Sequence, residues 1–95
     1  MRMAYRLSRK AEEDILDIYL IGAAAFGEDQ AERYHAGLEQ AFAFLCDFPR
    51  AAPERAELGR ASRVHPYKSH IIIYRLDGAD IFIQRVRHGS EDWLP

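Results

Sequence analysis

The chain is poor in the residues that stabilise small secreted proteins or hold metal ions. Cysteine occurs once in 95 residues, as Cys46, so no disulfide can form within the chain. The histidines are never four residues apart, the spacing of a helical zinc site; they are His35, His65, His70 and His88. No apolar run is long enough to cross a membrane or resembles a secretion signal. These absences predict a cytoplasmic protein with no metal, no cofactor and no membrane partner.

Sequence motifs of catalysis are scarce as well. The chain contains no glycine-rich phosphate loop and no serine nucleophile elbow, and Cys46 lies in an apolar stretch that disfavours a thiolate. An enzyme built from this sequence would depend on arginine, histidine and tyrosine, which restricts it to charge stabilisation at a phosphodiester. We therefore expect a protein that acts by binding and not by catalysis.

The residues that are present indicate one folded domain over residues 1–95. Hydrophobic residues make up 48% of the chain, too many for a disordered protein, and the net charge of −2 excludes a histone-like protein. Residues 11–59 hold eleven acids and three arginines, whereas residues 60–88 hold six basic residues and two acids. This division predicts two surfaces that meet different partners. The alternative is that solvated helices tend to be acidic and strands tend to keep arginine.

The spacing of apolar residues predicts two helices joined by a short turn. Ser8 is a suitable N-cap, and apolar residues then recur every three or four positions until Gly27 ends the first helix. A second apolar stripe runs through residues 28–47. Because the connection is so short, we expect the two helices to form an antiparallel hairpin.

Strands are predicted on both sides of this hairpin. A short strand at residues 5–7 precedes it, and three β-branched segments at 61–65, 70–76 and 81–87 follow. Residues 77–80 have the composition of a hairpin turn. The order of these elements predicts an α+β fold in which the helical hairpin packs on a small antiparallel sheet.

The end of the last predicted strand carries the main candidates for function. Alternation places Ile81, Ile83, Arg85 and Arg87 on one face and Phe82, Gln84, Val86 and His88 on the other. Arg85 is suited to bind a phosphate or carboxylate through its planar guanidinium; the structural alternative is a salt bridge to a helix carboxylate such as Asp17. His88 is the best candidate for acid–base chemistry because histidine titrates near neutral pH; the alternative is a hydrogen-bonded strand end.

Two more residues are candidates for the same site. Arg63, on the preceding strand, converges with Arg85 or else flanks the edge of the sheet. Trp93 either packs back over the sheet or anchors a partner.

Several segments, in the right order, resemble the ParE toxins of chromosomal and plasmid toxin–antitoxin modules. The matching segments are residues 7–19 (LSRKAEEDILDIY), 26–34 (FGEDQAERY), 48–50 (FPR), 69–75 (SHIIIYR) and 83–93 (IQRVRHGSEDW), together with Arg63. The resemblance covers almost the whole chain. It implies a RelE/ParE-like fold and a role in a type II toxin–antitoxin module, of the kind that serves plasmid stabilization.

The resemblance also implies partners. A ParD-type antitoxin would wrap the toxin with its C-terminal segment in a hetero-oligomeric complex. Some ParE toxins poison DNA gyrase, which makes gyrase the implied target of a non-catalytic toxin that does not bind DNA by itself. The first helix is apolar on more than one side, and we expect its surplus face to meet the antitoxin. The candidates for this contact are Ile15, Leu16, Ile18, Tyr19 and Leu20.

The RelE branch of the same superfamily suggests an alternative function. Its members cleave mRNA on the ribosome with basic residues and a Tyr or His near the end of the last strand. Arg63, Arg85 and His88 occupy comparable positions here, whereas Glu91 and Asp92 would repel an RNA backbone and favour the gyrase target. The candidates for target binding are Arg63, Arg85, His88 and Trp93.

Overall fold

The computed structural model describes residues 3–90 and contains two long helices and four strands. In chain order the elements are β1 (Ala4–Leu7), α1 (Arg9–Phe26), α2 (Glu28–Asp47), a short 3-10 helix (Ala56–Leu58), β2 (Arg63–Tyr67), β3 (His70–Asp77) and β4 (Asp80–His88). The predicted α+β fold, with an N-terminal strand followed by a helical hairpin on a small sheet, is confirmed. None of the helices within the described residues is both long and apolar enough to cross a membrane.

The start of α1 is fixed by Ser8. Its hydroxyl oxygen accepts a hydrogen bond from the Ala11 backbone N–H at 2.9 Å and donates one to the Gln84 carbonyl oxygen at 2.7 Å. The first bond satisfies a helix N–H that has no partner within the helix, and the second ties the helix start to β4. Gly27 then separates the helices with φ of 92°, a conformation that favours glycine. A single residue therefore joins α1 to α2.

The sheet is mixed, with strand order β1-β4-β3-β2. Strands β2, β3 and β4 form an antiparallel meander, but β1 pairs with β4 in parallel. The prediction of an antiparallel sheet was therefore wrong for β1. Parallel strands need a long crossover connection, and the helices together with β2 and β3 supply it here.

A β-bulge changes the faces of β4. Ile73 of β3 pairs with Arg85, but the next residue, Tyr74, pairs with Ile83, so Gln84 is an extra residue in β4. The extra residue reverses the alternation. Val86 consequently joins Ile83 in the core, with 2% of its surface exposed. The predicted division of β4 into two faces was wrong beyond residue 83.

The core lies between the helices and one face of the sheet. Its largest fully buried side chains are Leu38, Phe42, Leu45, Ile72, Tyr74, Ile81 and Ile83. The hydroxyl of Tyr74 donates to the Pro49 carbonyl oxygen at 2.9 Å, and burial raises the pKa of this hydroxyl. This bond satisfies a buried polar group and anchors the loop that follows α2.

A candidate partner-binding groove

A groove of about 820 Å³ runs between the two helices and the adjoining ends of β3 and β4. Its apolar lining comes mainly from α1, with contributions from α2 and β4. The apolar residues along it are Ile15, Ile18, Ile21, Phe26, Ala31, Leu38 and Val86. A groove of this size and composition accommodates several side chains of a peptide.

Helix α1 leaves large apolar side chains in solvent. Ile21 and Phe26, both in the groove, are each 69% exposed. Leu16 is 57% exposed and Leu20 is 55% exposed, and neither lines the groove. Ile21 and Phe26 together expose apolar surface within the groove, which is typical of a binding site.

The five residues predicted to bind an antitoxin therefore lie on two sides of α1. Ile15, Ile18 and Tyr19 line the groove, whereas Leu16 and Leu20 lie on the outer face. Ile21 and Phe26 also line the groove and were not among the predicted residues. The three- and four-residue spacing that predicts the helix gives no information on which side a covering layer is missing.

Asp14 and Arg85 form the charged pair that joins α1 to β4. The Asp14 carboxylate accepts from Arg85 Nε at 2.8 Å, from Arg85 Nη2 at 2.9 Å and from the Val86 backbone N–H at 3.0 Å. The structural alternative for Arg85, a salt bridge to a helix carboxylate, is thus present, with Asp14 in place of Asp17. Asp17 is not part of this pair, although it lines the groove together with Asp14 and Arg85.

The histidines of β3 and β4 meet at the strand end of the groove. His70 and His88 are directly opposite in the sheet, with ring centroids 5.3 Å apart. The Nδ1 of His70 lies 2.6 Å from the hydroxyl of Tyr34, and the Nδ1 of His88 lies 2.7 Å from the hydroxyl of Ser90. Burial raises the pKa of the Tyr34 hydroxyl above its ordinary value. No group of three or more metal-binding side chains occurs within residues 3–90.

Arg63 lies away from these residues. Its side chain is 12% exposed, its Nη1 donates to the Ala52 carbonyl oxygen at 2.6 Å, and its Nη2 lies 3.4 Å from the Glu54 carboxylate. Arg63 pairs with Tyr74 of β3, whereas His88 pairs with His70 of β3. The positions of Arg63 and His88 along the sheet therefore differ by four residues. That offset is about 13 Å. Arg63, on the edge strand β2, therefore stabilises the loop after α2 and does not converge with His88. The guanidinium of Arg85 is bonded to Asp14, so the two arginines contact different elements.

The fourth candidate for target binding, Trp93, lies outside the described residues, as do Glu91 and Asp92.

The charges divide between the two layers of the fold. Helices α1 and α2 carry nine acidic and three basic residues, whereas residues 63–88 carry five basic and two acidic residues. The groove lies where the layers meet, so one side of it is acidic and the other basic. The charge division in the sequence thus coincides with the division of the fold into helices and sheet.

The chain resembles known toxins over almost its whole length. Residues 5–93 match a family model described as the ParE toxin of a type II toxin–antitoxin system, parDE. The chain is 31% identical over 86 residues to Toxin ParE1 of Caulobacter vibrioides, with 90% of this chain and 88% of that protein covered.

Two solved structures are similar to it. One is the chromosomal ParDE toxin–antitoxin system from P. aeruginosa, with a TM-score of 0.79 and 19% identity over 92% of this chain and 96% of the other. The other is the toxin–antitoxin complex RelBE2 from Mycobacterium tuberculosis, with a TM-score of 0.68 and 22% identity over 93% and 99%. At these identities the structural likeness establishes the fold.

Proposed function

Because the chain belongs to the ParE toxin family of type II toxin–antitoxin systems, we propose that a ParD-type antitoxin holds it inactive by binding along α1. When the antitoxin is lost, the toxin acts on DNA gyrase by binding it. The proposed contact with the antitoxin is supported by the exposure of Ile21 and Phe26 in a groove whose floor is apolar. Covering such side chains is favourable by about 25 cal/mol per Å² of apolar surface.

The antitoxin contact is tested by two matched phenylalanines. Phe26 lines the groove and is 69% exposed, whereas Phe48, at the far end of α2, is outside the groove and 58% exposed. The antitoxin is taken as the product of the adjoining reading frame and is co-purified with the toxin. We expect Phe26→Gln to raise the dissociation constant at least about tenfold, as for an anchor residue, and Phe48→Gln to leave it nearly unchanged.

The outer face of α1 needs a separate variant. A Leu16→Gln, Leu20→Gln double variant removes two exposed side chains that are not in the groove. If the antitoxin wraps both sides of α1, this variant weakens binding while the unfolding transition stays in place. Equal weakening by Phe48→Gln and Phe26→Gln would refute docking in the groove.

The target is tested with purified toxin and gyrase. We expect inhibition of supercoiling, accumulation of cleaved DNA, and reversal of both effects when antitoxin is added. Unchanged supercoiling and cleavage at a large excess of toxin would exclude gyrase as the target.

The geometry gives the ribonuclease alternative little support. A ribonuclease site would require Arg63, Arg85 and His88 to act together. However, Arg85 is bonded to Asp14, and Arg63 lies four residues along the sheet from His88. A charge that is already paired in this way stabilises a transition state less than one aimed at the substrate. Binding to gyrase is therefore the function that we propose.

A further inference from the structure

The turn between β2 and β3 places an exposed lysine beside the strand end of the groove, because Lys68 is adjacent to Ser69 and lies over the ring of Tyr34, and both of these residues line the groove. Lys68 has a positive φ of 49° at the tip of this turn. Its Nζ lies 5.6 Å from the ring centroid of Tyr34 and 5.6 Å from that of Tyr67. An ammonium group is attracted to the faces of aromatic rings at such distances. The two tyrosines therefore form a cradle that limits where the charge of Lys68 can lie.

The cradle is itself held in place by packing and hydrogen bonds. The Tyr67 hydroxyl donates to the Tyr34 carbonyl oxygen at 3.1 Å, and the two ring centroids are 5.1 Å apart in an edge-to-face arrangement. The Tyr34 hydroxyl is also bonded to His70. Both rings thus have partners that fix their orientation.

Gly37 provides the space for this arrangement. A Cβ atom at this position of α2 would lie 2.0 Å from the Tyr67 hydroxyl oxygen. Glycine inside a helix costs about 1 kcal/mol relative to alanine. The fold therefore accepts a weaker helix position at which Tyr67, and with it the cradle, can pack.

The charges around Lys68 favour an anionic ligand. Lys68 forms no ion pair with a carboxylate within residues 3–90, and the basic side chain of Arg87 lines the strand end of the groove. Asp14 is matched by Arg85, which leaves Asp17 as the acidic group on the opposite side. Lys68 is therefore the basic group beside the strand end of the groove, and Asp17 is the acidic group on the α1 side.

We propose that Lys68 binds a side-chain carboxylate of the antitoxin segment that occupies the groove. This proposal rests on the proposed function, since it names the chemistry of the same partner. An apolar floor with Lys68 beside one end suits a peptide that carries both apolar and acidic residues, whereas Asp17 on the opposite side disfavours a continuous phosphate backbone. The segment therefore places an Asp or Glu at the strand end of the groove and apolar side chains along α1.

The chain offers a matched control, because it contains only one other lysine. Lys10 is exposed in the first turn of α1. We expect Lys68→Met to raise the dissociation constant of the antitoxin about tenfold, equivalent to about 1.4 kcal/mol, and Lys10→Met to change it less than about twofold. The loss of a charge pair should also make the affinity of Lys68→Met less dependent on salt. Thermal unfolding checks that both variants are folded.

A double-mutant cycle identifies the carboxylate. Each Asp and Glu of the antitoxin is changed to its amide and measured against the natural toxin and Lys68→Met. At one antitoxin position, the change to the amide should weaken binding to the natural toxin but not to the Lys68→Met variant. The proposal is overturned if no acidic residue couples to Lys68, or if Lys68→Met and Lys10→Met behave alike. If Phe26→Gln still weakens binding in that case, groove docking stands without Lys68; if it does not, the proposed function fails too.

Discussion

Replacing Gly37 with alanine is expected to destabilise the protein, although alanine is the better helix former. The new Cβ would meet the Tyr67 hydroxyl oxygen at 2.0 Å, the adjoining ring carbon at 3.1 Å and a further ring carbon at 3.4 Å. Contacts below 3.0 Å force a shift, and the Tyr67 ring is held against Tyr34. The side chain of Tyr67 must therefore move out of its site.

The expected magnitude follows from three opposing contributions. Alanine stabilises a helix interior by about 1 kcal/mol relative to glycine. Overpacking costs about 1–3 kcal/mol, and the lost hydrogen bond from Tyr67 to the Tyr34 carbonyl costs about 1 kcal/mol more. The free energy of unfolding should therefore fall by about 1–3 kcal/mol, which lowers the melting temperature of a domain this size by about 5–20 °C.

Gly22 supplies the control, because it also lies inside a helix. A Cβ there would meet only the Ala31 Cβ, at 3.8 Å, which is an ordinary contact. Gly22→Ala should therefore raise the free energy of unfolding by up to about 1 kcal/mol. Urea or thermal unfolding followed by circular dichroism measures both variants, and the two substitutions should differ in sign.

A second substitution tests the assigned cause. Tyr67→Phe removes the oxygen that would clash and should cost about 1 kcal/mol in the natural chain through its lost hydrogen bond. In the Gly37→Ala background the same change should be neutral or stabilising. If Gly37→Ala is as stabilising as Gly22→Ala, or if Tyr67→Phe costs the same in both backgrounds, the described packing of Tyr67 is incorrect.

Three further substitutions test other contacts. Asp14→Asn removes the negative charge that faces Arg85. Because Arg85 is about one third exposed, we expect the free energy of unfolding in urea to fall by about 2–3 kcal/mol, less than for a fully buried pair. A fall of less than about 0.5 kcal/mol would contradict the proposed role of this ion pair. Ser8→Ala removes the cap of α1 and the bond to Gln84 and should cost about 1–2 kcal/mol, whereas Ser8→Thr should retain most of it. Burial lowers the pKa of His65, so protonation favours the unfolded chain and stability should decline as pH falls below about 6.5. This part of the pH dependence should disappear in His65→Gln.

Local signals were sufficient to predict the helical hairpin. A serine cap, acidic residues in the early turns and a glycine at the junction all act within a few residues, and the predicted helix bounds agree with α1 and α2. The strands of the meander were also predicted, although β2 extends to Tyr67 and leaves a turn of only two residues. Pro66 is tolerated in β2 because this strand lies at the edge of the sheet.

The candidate site was predicted less completely. Its helix residues Ile15, Ile18 and Tyr19 line the groove as part of an apolar stripe that the sequence displays. The contact between Tyr34 and His70 joins residues 36 positions apart, and the contact between Asp14 and Arg85 joins residues 71 positions apart. No periodicity within a single element encodes such a pair, because each side chain is placed by a different element.

The elements, their order, the division of charge and the resemblance to a toxin family follow from the sequence, since each depends on residue types and short spacings. The structure was needed to show that β1 pairs in parallel with β4, that the bulge at Gln84 places Val86 in the core, and that α1 is uncovered along the groove. It was also needed to place Lys68 against two tyrosines. Packing between distant elements sets these contacts, and a shift of one residue in a strand exchanges its two faces.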